Sequence, residues 1–231
     1  MGSVETLMVG TWGWDHATWV GSYYPEELPA DWRFGYYSNE YRSVLMPADH
    51  WTLEQPLEDW IQDADDAFRM VLELPDELAR MTEDWQSLWQ DFLRMSALLR
   101  PFRRGYLLSP EPKQAVDLQW LQMALTAIAA EAPVSVRLRG AWNDRSVHEC
   151  VNSHGATLCW QTEEAEFEDP PDQGLWVALS TETQARAQRA VVERMGAWMD
   201  RTGGEAGLFF VGDRAPAAAA SARLIAEMLV I

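Results

Sequence analysis

An α/β fold in a single large domain is what this sequence predicts, and three observations carry the reading. Eight short, near-continuous apolar runs recur along the 231 residues, as parallel strands covered on both faces require. Segments with the helical period of 3.6 residues fill most of the intervals between them. No Pro/Gly/Ser-rich linker, fixed-period repeat or long low-complexity tract divides the chain. At 48% apolar residues the chain can bury a sizeable core. Regular alternation of strand and helix leaves two architectures, a βα barrel or an open doubly wound sheet.

Taken in order, strands are expected over residues 7–12, 41–46, 68–74, 105–108, 134–139, 157–161, 175–179 and 207–211. Between the second and third, Leu57, Trp60, Ile61 and Ala64 recur at helical spacing. Trp85, Leu88, Trp89, Phe92 and Leu99 form the next stripe, with Glu83 and Asp84 favouring the positive end of that helix. Leu118, Leu121, Leu125 and Ile128 follow a candidate Asp117 cap. Val147, Cys150, Val151 and His154 make a short stripe that Gly155 would stop. After the sixth strand, two prolines and a run of acids, Glu163 to Asp172, argue against a regular helix. Val191, Met195, Trp198 and Met199 read as a helix opened by a Thr181/Gln184 capping box and closed at Gly203 and Gly204. The last helix starts near Pro216, with Leu224, Ile225 and Met228 expected inward.

The first strand runs into a dense stretch: Gly10, Thr11, Gly13 and Trp14, then Trp19 and Gly21, then Tyr24, Pro25, Leu28 and Pro29. So many aromatics beside turn-forming glycines indicate a structured loop. In register and without a gap, these residues resemble the opening of the YecE-like family, Gly-Thr-x-Gly-Trp, Trp-x-Gly, Tyr-Pro-x-x-Leu-Pro. The resemblance implies a single TIM-type (β/α) barrel of eight strands over residues 1–231, with the unit after strand six lacking a regular helix. It implies no settled activity.

Composition bounds the function. The formal net charge is −18, a field that repels phosphates and argues against nucleic acid or anionic membranes as partners. It favours solubility and a basic protein partner or cationic ligand. Two cysteines, Cys150 and Cys159, make no disulfide framework. With no signal peptide or spanning apolar run, they suggest a cytoplasmic protein. Thirteen tryptophans suggest either packing between helices and sheet or an aromatic contact surface, with Trp85 and Trp89 a candidate dimer face.

In a barrel of this type the functional face is the set of loops after the strands. Trp14, Asp15 and His16 follow strand one, Asp49 and His50 follow strand two, Arg139 and Trp142 follow strand five, and Asp213 follows strand eight. These eight are the candidate ligand-binding residues at the mouth. Asp15, His16, Asp49 and His50 carry the side chains of a divalent-metal site, the basis of an alternative reading as a metal-assisted hydrolase. His148, Cys150, His154 and Cys159 also have ligand chemistry, but Cys150 and His154 fall in the helical stripe with Val147 and Val151, which reads as core. Ser109, before Pro110, reads as a turn residue.

Against the family's pattern, Arg139 and Trp142 are retained on strand five, and Asp213 survives on strand eight, where its simplest role is to cap the last helix. Glu73 stands where the family has Lys, and Arg137 where it has Glu, so an interior Glu73–Arg137 ion pair is expected. The Glu and Asn after strand two are lost, and Gly140, Ala178, Ser180, Val211 and Gly212 replace other polar residues of the family's mouth. No phosphate loop, dinucleotide fingerprint, nucleophile elbow or His-Glu-x-x-His occurs. These replacements lead to the expectation of a non-catalytic barrel, a protein-binding or regulatory module with no cofactor and no resident metal.

Overall fold

The computed structural model describes residues 7–51, 62, 64–164, 167–170, 174–229 and 231. Nine parallel strands form one sheet. They are β1 (Met8–Trp12), β2 (Ser43–Met46), β3 (Arg69–Glu73), β4 (Arg103–Leu108), β5 (Val134–Val136), β6 (Thr157–Leu158), β7 (Trp160–Gln161), β8 (Leu175–Ser180) and β9 (Glu205–Phe210). Their order is β6-β5-β4-β3-β2-β1-β9-β8-β7. The two ends of the sheet, β6 and β7, are separated in the chain by Cys159 alone, so the sheet curls into a nearly closed barrel.

Eight strands were expected; the ninth arises because the run 157–161 changes partner at its centre. Thr157 and Leu158 pair with Ser135 and Val136, and the Cys159 N–H still donates to Val136 O at 2.8 Å. Trp160 and Gln161 then pair with Ala178 and Leu179. One curved segment therefore serves both edges, and the Thr157 hydroxyl reaches across to Leu175 O.

Six helices surround the sheet among the described residues: α1 (Arg33–Glu40), α2 (Trp85–Met95), α3 (Leu118–Ala129), α4 (Arg145–Ser153), α5 (Ala185–Thr202) and α6 (Ala215–Leu229). Leu57, Trp60 and Ile61 lie outside the described residues. Between Gln161 and Leu175 the described residues form no helix. No helix among the described residues is long and apolar enough to cross a membrane.

Two apolar layers hold the fold. Inside the barrel Met8, Leu45, Val71, Leu107, Cys159, Leu175, Val177, Leu179 and Phe209 pack together. The larger layer lies between strands and helices, and tryptophan fills much of it: Trp14, Trp19, Trp85, Trp89, Trp120, Trp142, Trp160, Trp176 and Trp198 are all buried. Trp85 and Trp89 belong to this core, stacking on each other and on Phe92, with Trp89 edge-on to Tyr106. They form no exposed dimer face.

The helix ends bear out some of the sequence reading and correct the rest. Asp117 caps α3, accepting from the Trp120 N–H at 2.9 Å, and Gly203 closes α5 in the left-handed region at φ 70°. The Thr181/Gln184 box is not formed: Gln184 is the N-cap residue without a side-chain bond, and the Thr181 hydroxyl donates to Glu163 instead. In α6 Leu224 and Met228 face outward, and Ala218, Ala219, Ala222 and Ala226 are buried. An alanine face lets this helix approach α5 and the sheet closely, which a leucine stripe would prevent.

The glycine-aromatic stretch is the tightest part of the molecule. A Cβ on Gly10 would stand 2.0 Å from the carbonyl oxygen of Ser43 on β2. The Thr11 N–H donates to the Tyr37 hydroxyl at 3.0 Å, and that hydroxyl donates to Ser43 O at 2.9 Å. The Thr11 hydroxyl donates to Gly13 O at 2.6 Å. Gly13, at φ 76°, turns the chain off the strand while its N–H donates to Leu45 O. The loop then folds on itself. Trp19 O accepts from the N–H groups of Ser22, Tyr23 and Tyr24, the Tyr24 hydroxyl donates to Trp14 O at 2.5 Å, and the Tyr41 hydroxyl donates to Pro216 O at 2.6 Å.

Two predictions follow from this packing. Gly10→Ala forces β1 and β2 apart and is expected to cost about 3 kcal/mol or more in urea unfolding, the upper range for an overpacked core; a midpoint near wild type would contradict the close approach. Burial pushes the hydroxyls of Tyr23, Tyr24, Tyr37 and Tyr41 above the ordinary phenol value, and that of Tyr106 up to about 12. The neutral forms are therefore favoured by folding. That contribution is intact below the unfolded value near 10.0 and is lost as pH rises through the folded values. Phenolate absorbance should lag behind free tyrosine and then rise together with loss of the far-UV signal; ionisation of all six tyrosines near pH 10 in the folded protein would refute it.

Candidate functional site at the barrel mouth

Side chains alternate along a strand, so the inward set can be followed to the C-terminal rim. Met8 leads to Trp12, Val71 to Glu73, Leu107 to Ser109, and Cys159 to Gln161; Arg137 continues the inward face of β5 beyond Ser135. These residues meet at the end of the barrel where the loops emerge.

Glu73 is buried, 5% exposed, and its carboxylate is held by neutral donors. Oε2 accepts from the Trp12 indole at 2.9 Å and from the Ala48 N–H at 3.3 Å, and Oε1 accepts from the Ser109 hydroxyl at 2.9 Å. Its backbone oxygen accepts from the Trp51 indole at 2.7 Å. Arg137, half-buried, lies over the Trp12 ring with Cζ 5.8 Å from the centroid. Its Nη2 donates to Gln161 Oε1 at 3.4 Å, and its Nε is buried without an acceptor. Cys159 sits beneath; burial pushes its thiol up to about 12, with Arg137 pulling down and Glu73 pushing up.

The expected Glu73–Arg137 ion pair is therefore not formed. Both residues face the interior as read, but Trp12 stands between them. The indole gives its N–H to the carboxylate and its face to the guanidinium. Three neutral donors satisfy the carboxylate, and among the described residues no carboxylate pairs with the guanidinium.

The loop candidates are placed around this centre without joining it. Asp15 is exposed and paired with Arg33. His16 Nε2 lies 2.7 Å from Trp12 O, its ring against Trp19. Asp49 is exposed and bonds His50 Nδ1 at 2.9 Å, and the His50 ring packs edge-on to Trp14. Trp14 is 2% exposed and Trp142 fully buried; the latter donates to Glu111 O at 3.1 Å and packs on Trp120. Both are framework residues, which corrects their reading as mouth ligands. Arg139 is exposed at the start of the turn Gly140–Trp142. Asp213 is exposed and makes no hydrogen bond to α6, which opens instead with the Ala215 N–H on Gly212 O.

Among the described residues no three His, Cys, Asp or Glu side chains gather as metal ligands. Asp15, His16, Asp49 and His50 are not brought to one point, since Arg33, Trp12 O and the Asp49–His50 contact hold them apart. Cys150 and Cys159 are buried, and His148 and His154 bond Asn143 Oδ1 and Cys150 O, respectively, at 2.8 Å, as a core stripe implies. Sequence reading passed over Trp12 and Gln161 and took Ser109, which donates to Glu73, for a turn residue; counting strand parity back from the buried runs would have found all three.

The family model described as "Protein of unknown function DUF72" matches residues 8–231. No curated protein matches the chain. Among solved structures, a DUF72 family protein from Enterococcus faecalis aligns with a TM-score of 0.72 at 13% identity, covering 96% of this chain and 95% of that one. One from Thermotoga maritima aligns at 0.69 and 16% identity, covering 98% and 100%. An AP endonuclease, family 2, from Brucella melitensis aligns at 0.54 and 10% identity, covering 88% and 92%. At these identities the likeness is one of fold.

Glu73→Gln tests the carboxylate node. The amide must turn its NH2 to Ser109, whose hydroxyl then accepts, and its oxygen keeps the Trp12 and Ala48 N–H groups in bonds that are no longer charge-assisted. A loss of about 1–3 kcal/mol in urea unfolding is expected, with altered tryptophan emission; an unchanged midpoint would show that the carboxylate does not organise the mouth.

Proposed function

The chain belongs to the DUF72 family of proteins of unknown function, and on that premise we propose that its barrel binds a small anionic ligand without converting it, as a cytoplasmic regulatory or binding module. The observation that carries the reading is the state of Arg137. A guanidinium half-buried at the mouth, over the Trp12 ring, with its Nε enclosed and lacking an acceptor among the described residues, is suited to a carboxylate or phosphate oxygen. Ser109 and Gln161 supply neighbouring polar atoms. Binding without chemistry is favoured because the Glu73 oxygens are engaged by three donors, which leaves no unengaged general base beside Arg137 among the described residues. His16 and His50 bond other groups at the rim.

A hydrolase reading has the fold likeness to the Brucella AP endonuclease in its favour. It requires a ligand set that Asp15, His16, Asp49 and His50 do not form as placed. The net charge of −18 further disfavours a long polyanion as substrate. Cleavage of DNA containing abasic sites, dependent on added divalent metal and lost on changing His16 and His50 to alanine, would replace the proposal with that reading.

Calorimetric titration with acetate, malonate and inorganic phosphate tests the anion site. At least one should bind saturably, and Arg137→Gln should weaken it by about tenfold or more, the worth of one hydrogen bond to a charged group. Equal affinity in the variant, or no saturable binding to wild type, would overturn the proposal.

A further inference from the structure

Among the described residues the exposed aromatic side chains are two, and they are neighbours. Trp32 is 65% exposed and Tyr36 36% exposed. Trp32 ends the turn Ala30–Trp32 that leads into α1, and with Tyr36 four residues on, the two rings share a face. With Leu28, Gly35 and Asn39 they line an open groove of about 390 Å³. The groove has a firm floor, since the Tyr36 ring contacts Tyr23 at 5.6 Å and Tyr24 at 5.5 Å. Asn39 is oriented by its amide N–H on Gly35 O at 2.8 Å, which leaves its side-chain oxygen as an acceptor.

The segment that carries the groove, residues 26–40, is mostly acidic in its charged residues. Glu26, Glu27, Asp31 and Glu40 are exposed along this segment. The basic residue among them, Arg33, is turned away onto Asp15 and over the Tyr24 ring. An exposed indole within an acidic rim attracts cations by its face and by the surrounding field. The other exposed apolar side chains among the described residues are aliphatic: Met81, Leu98, Val116 and Met123 lie singly, and Leu224 and Met228 share the outer face of α6 without an aromatic ring.

We propose that the groove lined by Leu28, Trp32, Gly35, Tyr36 and Asn39 docks an extended, lysine- or arginine-bearing segment of a partner protein, with a cationic side chain over Trp32 and a backbone N–H on the Asn39 oxygen. Extended peptides in aromatic grooves lose little conformational freedom on binding when proline stiffens them. The site is separate from Arg137 and does not depend on the anion reading.

The test uses fluorescence anisotropy of a labelled peptide of alternating lysine and proline, with a glutamate–proline peptide as control. The basic peptide should bind saturably, and the acidic one should not. Trp32→Ala should weaken binding by about fivefold or more with its circular dichroism and urea midpoint unchanged, since the ring is exposed. Asp31→Asn should weaken it less, and Arg137→Gln should leave it unchanged. Equal binding by Trp32→Ala would assign the attraction to the diffuse charge of the chain and overturn the proposal. So would failure of the wild type to bind, or a dimer in sedimentation that Trp32→Ala dissociates, because a second copy would then cover the groove.

Discussion

The Tyr37 hydroxyl joins the first two strands in a place that water cannot reach. Gly10 brings β1 so close to Ser43 that a side chain has no room, and at that contact the Thr11 N–H turns to Tyr37, whose own hydrogen goes to Ser43 O. With the ring fully buried, loss of either bond would leave a backbone group unpaired in the core. Everything after β1 is referred to this knot. Thr11 fixes Gly13, Gly13 sets the direction of the chain, and the loop carrying Trp14, Trp19 and Tyr24 closes against it. The Trp19 indole reaches Gly212 O at the far end of the sequence, so the strand that opens the barrel is tied to the turn before its last helix.

Strand and helix positions were legible because burial on both faces leaves a strong apolar signal. The division of the sixth strand was not. A change of hydrogen-bonding partner at Cys159 depends on curvature, which leaves no mark in residue type when both halves stay buried. The inward face of α6 was misread in part: Ile225 packs against the core as expected, but Leu224 and Met228 face outward and the closest approach is made by alanines. The Asp117 cap held because its bond is local, whereas the Thr181/Gln184 box lost its hydroxyl to Glu163, eighteen residues away in sequence.

At the mouth, the sequence located the right charges and misjudged their relation. Glu73 and Arg137 lie on strands whose interior residues can meet, and their opposite signs suggested a pair. That reasoning compares charges and omits what neutral groups offer. Trp12, from β1, reaches between them and binds each by a different part of one ring. An indole, a hydroxyl and a backbone amide give the carboxylate three donors without a cation, and drawing the guanidinium in to pair with it would carry its own desolvation cost. The loop residues read as metal ligands failed similarly, since each found a nearer partner: Asp15 in Arg33, His16 in a backbone oxygen, Asp49 in the adjacent His50.

The separation of the two mouth charges sets how the surface and the interior can divide their work. Outside, acids outnumber bases and the net charge of −18 is spread over the chain, so a large polyanion meets repulsion along its whole length. Inside, a half-buried guanidinium acts over a few ångströms, where lower polarity strengthens its attraction. A small anion crosses the outer field once and is then held by direct bonds, while a polymer remains in that field wherever it extends beyond the mouth. The same outer field favours basic segments at the exposed Trp32, far larger than anything the mouth could admit. On the two proposals together, one chain would select opposite charges at two places by size, with the indole of Trp12 standing between the cation of the mouth and the nearby carboxylate.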